Sequence, residues 1–371
     1  MGRPGKMKIG VLSSSRADYS VYLPLLRKLH DDILFDLKVI AFGMHVSGTY
    51  GNTIKQIYED GFSVIETANT MPHEDNPKGI AMAMGNTMVE LSKIYAAHDF
   101  DLIFALGDRY EMFAAVSAST PFNIPVAHIH GGETTLGAID NAFRHAITCQ
   151  ASIHFTSTEQ YKTRVERMLD KPENVYNVGA LSIDNLKQLE LYDTSQFYRK
   201  YGVDLSRPTI LMTFHPETVN YQKNGHYIRE VASALENLND YQILITQTNA
   251  DTTGLMIRTQ LENFALSKKN VYIFENLGTT GYLSAMKHCA FMLGNTSSGF
   301  VEASYFPAWV INLGERQRGR IETDNIISVA IEQQAIQQAI NKVIISPKPE
   351  NCNIYGDGDT AENIITIIKS H

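Results

Sequence analysis

The feature of this sequence that most constrains its fold is a repeated alternation of short β-branched apolar runs with helical stretches. Nearly continuous apolar runs followed by loops of small polar residues are typical of parallel strands buried on both faces. The runs are KIGVLSS, DLKVIAF, SVIET, DLIFALG, IPVAHIH, SIHFTST and VYNVGA, and then TILMTFH, YQILITQ, VYIFEN, FMLGNT and AWVINLG. The pattern predicts an α/β protein with two Rossmann-like, doubly wound domains.

Length sets the domain count, because 371 residues exceed what one hydrophobic core usually serves. We predict an N-terminal domain over residues 1–185, a C-terminal domain over 186–355, and a terminal helix over 356–371 that either domain could bind. The polar stretch 181–208, which ends in a proline, is the predicted connection. A ligand site is expected in the cleft between the two domains.

Charge and cysteine content exclude several classes of protein. A net charge of -8 argues against a nucleic-acid binder, which needs a basic face. The 3 cysteines are far apart and form no CxxC pair, so neither a disulfide framework nor a cysteine zinc site is indicated. The sequence contains no run of 18 apolar residues, so it predicts no membrane-spanning helix. These features predict a cytoplasmic protein.

Ligands of open α/β sheets bind beyond the carboxyl ends of the strands, so the polar residues at those ends are the candidate site residues. In the first half they include the anion-binding candidate Arg16, His45, the pair Asp108 and Arg109, and the segment HIHGGETTLGAIDNAFRH at 128–145. Asp108 beside Arg109 reads as an ion pair, and Asp108 is also a candidate base. Glu133 and Asp140 add two carboxylates for acid and base work.

In the second half, the segment GNTSSG at 294–299 leaves a strand and is predicted to open a helix. Its uncovered N–H groups favour a phosphate or diphosphate, and the alternative is that Thr296, Ser297 or Ser298 is only a helix cap. Glu302 is placed to bind ribose hydroxyls, and Arg316 to bind diphosphate oxygens. His215 is a candidate phosphate contact or proton donor, with a packing role as the alternative.

A metal site is the main alternative for the 128–145 segment. His128 and His130 are two apart on a strand and would share one face, and Glu133 and His145 lie near enough to complete a ligand set. Against this, the segment also holds an arginine, and no third ligand stands at an established spacing. We therefore predict no metal and no other cofactor.

Taken together, the motifs resemble the hydrolysing UDP-N-acetylglucosamine 2-epimerases of bacterial sialic acid biosynthesis. The resemblance extends from about Lys8 to Gly358 and rests on SSSRADYS, AFGMH, LGDRYE, HIHGGE, GAIDNAFRHAIT, FHPET, GNTSSG, INLGERQRGR and IYGDG. It implies a GT-B-like fold, a homodimer as is usual in the family, and a UDP-sugar substrate with UDP as product. It implies no nucleic-acid or membrane partner.

The resemblance also implies roles for individual residues. The positions matching family contacts to UDP are Arg16, Ser20, Arg109, His215, Asn249, Leu277, Thr296, Ser297, Glu302 and Arg316. The positions around the sugar are His45, Asp108, Asp140 and Arg144. Some relatives read HIEGGE where this chain reads HIHGGE, so His130 stands in place of their glutamate. Asp108 and His130 are the leading candidates for proton transfer, and Asp140, Arg144 and Glu133 are expected to hold the sugar and its neighbours.

The resemblance implies the conversion of UDP-N-acetylglucosamine and water into N-acetylmannosamine and UDP through a glycal. Closely related enzymes act instead on the 2,4-diacetamido-trideoxy sugar of the legionaminic acid pathway, and the GGETTLGAID wording is compatible with that branch. Two rivals share the nucleotide site: a GT-B glycosyltransferase, and a sensor that binds a nucleotide sugar without converting it.

Overall fold

The computed structural model describes residues 5–48, 53–72, 74, 76–170, 173–247, 253–306, 308–350 and 352–371. The strands, β1 to β13 in chain order, are Met7–Ser13, Phe35–Ala41, Val64–Glu66, Leu102–Leu106, Val126–Ile129, Ile153–Thr156, Val175–Asn177, Thr209–Thr213, Gln242–Thr246, Val271–Phe274, Phe291–Gly294, Trp309–Leu313 and Ile326–Val329. Every apolar run named above overlaps one of these strands, and β1 and β2 begin one residue before their runs. The strand β13 was not predicted, although its IISV sequence carries the β-branched signal.

Helices follow most strands. The α-helices, α1 to α14 in chain order, are Arg16–Asp31, Ile54–Glu59, Pro77–Ala97, Tyr110–Ser119, Asp140–Gln150, Glu159–Leu169, Leu181–Gln188, Thr194–Tyr201, Asn224–Leu235, Gly254–Leu266, Gly278–His288, Glu302–Tyr305, Gln333–Ile345 and Thr360–Ser370. Among the described residues, no helix is both long enough and apolar enough to cross a membrane.

The strands form two parallel sheets with the same winding. The first is 7-stranded, in the order β3-β2-β1-β4-β5-β6-β7, and the second is 6-stranded, in the order β10-β9-β8-β11-β12-β13. Both orders reverse beside the first strand of the sheet, which is where a doubly wound fold binds its ligands. The predicted fold class of two doubly wound α/β domains is confirmed.

The first sheet is buried on both faces, as its apolar runs predict. Successive residues of a strand point to opposite faces and enter two separate cores. Val39 packs with α1 and α14, whereas its neighbour Ile40 packs with α3 and α4. In the second sheet Ile210 and Met212 pack against α9, α10 and α13. The period of 2 along each strand therefore supplies both faces of a sheet.

The chain divides into two compact units. Unit 1 comprises residues up to Glu133, then Asp140–Lys187 and Tyr355–His371, and unit 2 comprises Thr134–Ile139 and Gln188–Ile354. This division departs from the predicted boundaries at the short segment 134–139, which belongs to unit 2. It also places all but the last residue of α7 in unit 1, so the connection is shorter than the predicted stretch 181–208.

The C-terminal helix α14 belongs to unit 1. Its residues Ile364, Ile365 and Ile368 are buried in the same core as α1. The Asp184 carboxylate of α7 accepts hydrogen bonds from the backbone N–H groups of Thr360 and Ala361, at 3.0 and 2.7 Å. Asp184 therefore satisfies two of the N–H groups that the first turn of a helix leaves without partners.

Candidate functional site

In unit 1 the candidate residues gather where the neighbouring strands β4, β5 and β6 end. Asp108 follows β4, His130 and Glu133 follow β5, and Arg144 comes from α5, which returns beside them. The Arg144 guanidinium pairs with Asp108, lies 3.4 Å from Glu133, and donates a 2.9 Å hydrogen bond to the carbonyl oxygen of His130. One arginine thus joins two strand ends.

The two carboxylates of this cluster differ in exposure. The side chain of Asp108 is 20% exposed, whereas those of Glu133 and Arg144 are 2% exposed. Glu133 also accepts a 2.9 Å hydrogen bond from Ser157, directly after β6, and lies 3.8 Å from the His130 ring. Both carboxylates contact Arg144, but Asp108 is better placed to meet a substrate, because Glu133 is enclosed by protein groups.

The predicted ion pair between Asp108 and Arg109 is replaced by two other pairs. Asp108 pairs with Arg144, while Arg109 makes a bidentate contact with the buried Glu111 at 3.1 and 3.2 Å. Arg109 immediately precedes α4, so its side chain reaches the first turn of that helix. Sequence proximity favoured a pair between Arg109 and Asp108. Arg109 instead binds Glu111, because a buried carboxylate requires a charged partner.

The histidines of HIHGGE do not share a strand face, so this prediction was wrong. The strand β5 ends at Ile129, and His130 has a φ of 64°, which breaks the alternation of side chains. His128 is fully buried: its Nε2 lies 2.8 Å from the Gly107 oxygen and its Nδ1 lies 3.1 Å from Thr148 Oγ1. Burial lowers the pKa of His128 to about 3, despite the opposing hydrogen bond to Gly107.

The glycines of the same motif serve packing. Gly132 has a φ of +78°, and a Cβ there would lie 2.6 Å from the Tyr161 carbonyl oxygen. Only glycine allows this close approach, which lets α6 pack against the loop that carries Glu133.

No group of three or more His, Cys, Asp or Glu side chains is arranged to hold a metal ion in the part of the chain that the structure describes.

His45 lies in a short 3-10 turn after β2 and is completely buried. Its Nε2 is 2.9 Å from Ser13 Oγ, and its Nδ1 is 2.8 Å from Thr53 Oγ1. Burial lowers its pKa, and the nearby Asp18 carboxylate opposes that shift. Both ring nitrogens are thus engaged by protein groups, an arrangement that suits support of the loop after β1.

The loop after β1 is organised by Asp18, which with Ser15 forms a capping box at the start of α1. The Asp18 carboxylate also accepts hydrogen bonds from the side chains of Ser13 and Ser14. Arg16 begins this helix, and Ser20 lies one turn further on, with its carbonyl oxygen bound by Asn185. The predicted roles of Arg16 and Ser20 stay predictions.

In unit 2 the candidate residues follow the adjacent strands β8, β11 and β12. His215 follows β8, Thr296 and Ser297 follow β11, and Arg316 follows β12. The Arg316 side chain is mostly buried and donates a 2.5 Å hydrogen bond to the carbonyl oxygen of Pro216. The buried Glu217 accepts a 2.8 Å bond from the Glu315 N–H, and burial raises the Glu217 pKa.

The helix predicted after β11 is much shorter than expected. Residues Ser297–Gly299 form a single 3-10 turn, and α12 contains only 4 residues and begins at Glu302. Thr296 caps the 3-10 turn by accepting from Ser298 N–H at 3.4 Å, whereas Ser297 is exposed. A turn this short has little macrodipole, so anion binding here would depend on local N–H groups and on side chains.

Two further predicted contacts complete the unit 2 set. Leu277 is buried directly before α11, and its carbonyl oxygen accepts a 2.6 Å bond from the Tyr201 hydroxyl. Asn249 lies outside the described residues. Sequence reasoning missed Ser157 and Glu111, which pair with Glu133 and Arg109. The position of Ser157 directly after a predicted strand was the available signal.

Comparison with known proteins finds one family that matches nearly the whole chain. A family model described as UDP-N-acetylglucosamine 2-epimerase matches residues 27–369. The chain is 32% identical to "UDP-N,N'-diacetylbacillosamine 2-epimerase (hydrolyzing)" of Legionella pneumophila, over 98% of this chain and 96% of that one. It is 33% identical to "Polysialic acid biosynthesis protein P7" of Escherichia coli, over 98% and 93%.

Among solved structures, the chain is similar to the UDP-GlcNAc 2-epimerase of Neisseria meningitidis bound to UDP-GlcNAc. The TM-score is 0.82 at 18% identity, with 98% of this chain and 100% of that chain covered. At this level of identity the similarity establishes the fold.

Proposed function

Because the chain belongs to the UDP-N-acetylglucosamine 2-epimerase family, we propose that it is a hydrolysing 2-epimerase of a UDP-2-acetamido sugar. The products are UDP and the free sugar with inverted configuration at C2. The observation that carries this proposal is the cluster of Asp108, His130 and Glu133, at the adjoining ends of β4 and β5, with Arg144 of α5. Such a cluster offers proton-transfer groups held by a buried guanidinium.

The reaction needs two stages, because C1 of the sugar is not a carbonyl and the C2 proton is therefore not acidic. In the first stage a base removes the C2 proton, the C1–O bond to UDP breaks, and a C1=C2 double bond forms. In the second stage water adds to C1 and a proton returns to C2 on the opposite face. We assign these proton transfers to Asp108 and His130, which have partly exposed side chains.

Departure of UDP must be far advanced in the transition state, so groups that bind the diphosphate also accelerate the chemistry. The proposed UDP-binding residues of unit 2 are His215, Asn249, Leu277, Thr296, Ser297, Glu302 and Arg316. Arg316 suits the diphosphate, because its guanidinium is fixed by Pro216 and remains charged at any working pH. Glu302, at the start of α12, suits the ribose hydroxyls.

The leading substrate is UDP-N-acetylglucosamine, which would give N-acetylmannosamine for sialic acid synthesis. A second candidate is UDP-N,N'-diacetylbacillosamine, because the Legionella pneumophila relative is named for that sugar. The two substrates share UDP and the 2-acetamido group and differ at C4 and C6. Parallel measurement of kcat/KM with both nucleotide sugars decides between them.

The test of the reaction is the fate of the hydrogen at C2. In D2O, elimination followed by hydration places solvent deuterium at C2 of a sugar with inverted configuration, with one equivalent of UDP. A glycosyltransferase that slowly hydrolyses its donor breaks only the bond at C1 and releases an uninverted sugar with its original hydrogen. A sensor releases no sugar. Mass spectrometry and proton NMR of the product distinguish these outcomes, and an unlabelled, uninverted product would refute the proposal.

A further inference from the structure

The buried Asn295 connects the three strand ends of unit 2 that carry the proposed UDP contacts. It follows β11 directly, and β11 lies between β8 and β12 in the sheet. Gly294, the last residue of β11, has a φ of +144°, and a Cβ there would lie 1.9 Å from the Thr213 carbonyl oxygen. Glycine therefore lets the chain approach Thr213 closely, and Asn295, the next residue, lies against the end of β8.

The side chain of Asn295 binds both backbone polar groups of His215. Its Oδ1 accepts a 2.7 Å hydrogen bond from the His215 N–H, and its Nδ2 donates a 2.8 Å bond to the His215 carbonyl oxygen. Asn295 has no exposed surface, so water does not compete for these bonds. Its amide group therefore fixes the position of the His215 main chain relative to β11.

The backbone of Asn295 extends the connection to the third loop. Its carbonyl oxygen accepts a 2.8 Å bond from Gln317 Nε2, and Arg316, the preceding residue, binds the Pro216 carbonyl oxygen. Together with the peptide links from His215 to Pro216 and from Arg316 to Gln317, these hydrogen bonds form a closed ring that begins and ends at Asn295. The loops after β8, β11 and β12 are held together by this ring.

We infer that Asn295 is a positioning residue for UDP binding, which sets the His215 and Arg316 loops at a fixed separation in unit 2. This inference rests on the proposed function. Asn295 does not need to touch the nucleotide. Removing its amide leaves a buried N–H and a buried carbonyl of His215 without these partners, so the loop shifts to satisfy them elsewhere.

Gln242 supplies a matched control in the same unit. It also has a buried amide side chain, and its Nε2 donates to the Asp204 carbonyl oxygen at 2.6 Å and to Thr209 Oγ1 at 3.0 Å. However, Gln242 and Thr209 are the first residues of β9 and β8, so these bonds lie at the amino ends of the strands, whereas the loops of the candidate site follow the carboxyl ends. Its replacement should reduce stability without moving the loops after β8, β11 and β12.

The experiment measures UDP affinity by calorimetry for the full-length protein and for the variants Asn295→Ala and Gln242→Ala. We expect Asn295→Ala to raise the Kd for UDP by about tenfold or more, since several contacts are displaced together. Gln242→Ala should change the Kd by less than about twofold at a comparable loss of Tm. Equal UDP affinity of the two folded variants would overturn the inference, whereas absence of UDP binding by the unaltered protein would refute the proposed function.

Asn295→Asp provides a second measurement if the alanine variant fails to fold. A protonated aspartic acid can accept from the His215 N–H and donate to its carbonyl oxygen, as the amide does, whereas the ionised form sets an oxygen against that carbonyl. The Kd ratio of this variant to the unaltered protein should therefore fall toward 1 between about pH 8 and about pH 5. A ratio that does not change with pH would contradict the positioning role.

Discussion

At the scale of single residues, the candidate site of unit 1 divides its carboxylates by exposure. Glu133 is bound by Ser157 and Arg144 and is almost fully buried, whereas Asp108 shares Arg144 and keeps part of its surface exposed. A carboxylate that exchanges protons with a substrate must be reachable, and one that orients an arginine need not be. The two acids are therefore expected to respond differently to substitution.

We predict that Asp108→Asn lowers kcat by about 100-fold or more, as is typical for loss of a general acid–base group, while UDP affinity stays within about twofold. Glu133→Gln should act indirectly, because the amide keeps the Ser157 contact and weakens the hold on Arg144. We expect it to lower kcat by a smaller factor. Steady-state kinetics with calorimetry of UDP binding test both variants, and normal turnover of a folded Asp108→Asn variant would make Asp108 structural.

At the scale of elements, a buried carboxylate of one helix stabilises the start of another. Asp184 binds the first two N–H groups of α14, a helix that completes the core of unit 1. Burial raises the Asp184 pKa, and the N–H donors of α14 oppose that shift. The carboxylate therefore connects two helices that are distant in sequence.

We predict that Asp184→Ala lowers the free energy of unfolding of unit 1 by about 1–3 kcal/mol, through the lost cap and the buried N–H groups left without it. Asp193 makes a matched control, since it caps the exposed start of α8 in unit 2. Asp193→Ala should cost about 1 kcal/mol or less, because water can replace the carboxylate there. Urea unfolding of both variants measures the difference, and equal losses would contradict the role of Asp184.

A second prediction at this scale concerns the paired strands β5 and β6, in which His128 faces His154 in the register. Burial lowers the pKa of His128 to about 3 and of His154 to about 4, against about 6.5 in an unfolded chain. Between these values the unfolded state binds protons that the native state does not. Stability is therefore lost as pH falls below about 6.5, by up to about 1.4 kcal/mol per pH unit for each histidine.

The variant His154→Leu tests this account, because leucine keeps the buried volume and does not titrate. The free energy of unfolding of the variant should fall less steeply between about pH 6.5 and about pH 4 than that of the unaltered protein. Denaturant titrations at a series of pH values measure the two slopes. Identical slopes would show that His154 does not become protonated on unfolding in this range.

At the scale of the whole molecule, two doubly wound sheets carry different parts of the proposed reaction. Unit 1 holds the acid–base cluster, and unit 2 holds most of the proposed UDP contacts. The segment 134–139 belongs to unit 2, where the Leu136 N–H donates a 2.9 Å bond to the Arg318 carbonyl oxygen. The chain thus leaves unit 1 after Glu133 and re-enters it at Asp140.

We predict that UDP slows amide hydrogen exchange in unit 2 at the ends of β8, β11 and β12, and also at Leu136. The reason is that a ligand bound only to the native state adds up to about 2.7 kcal/mol to the cost of opening when its concentration is about 100 times Kd. The centres of β1 and β4 in unit 1 should exchange unchanged. Exchange measured by mass spectrometry with and without UDP tests this, and protection limited to unit 1 would contradict the assignment.

Much of the fold was predictable from local sequence. The apolar runs marked the first twelve strands, β1 to β12, because a strand buried on both faces needs apolar residues at consecutive positions. The same runs located the strand ends, and with them Asp108, His130, His215 and Arg316. The strand β13 was overlooked although its signal was present.

Only the tertiary structure decided which of these groups meet. Asp108 binds Arg144, 36 positions away, rather than its neighbour Arg109. His130 turns out of its strand, and α14 joins the core of unit 1. The physical reason is that strand and helix patterns arise from periods of a few residues, whereas a buried charge pairs with whichever opposite charge the packing of distant elements brings beside it.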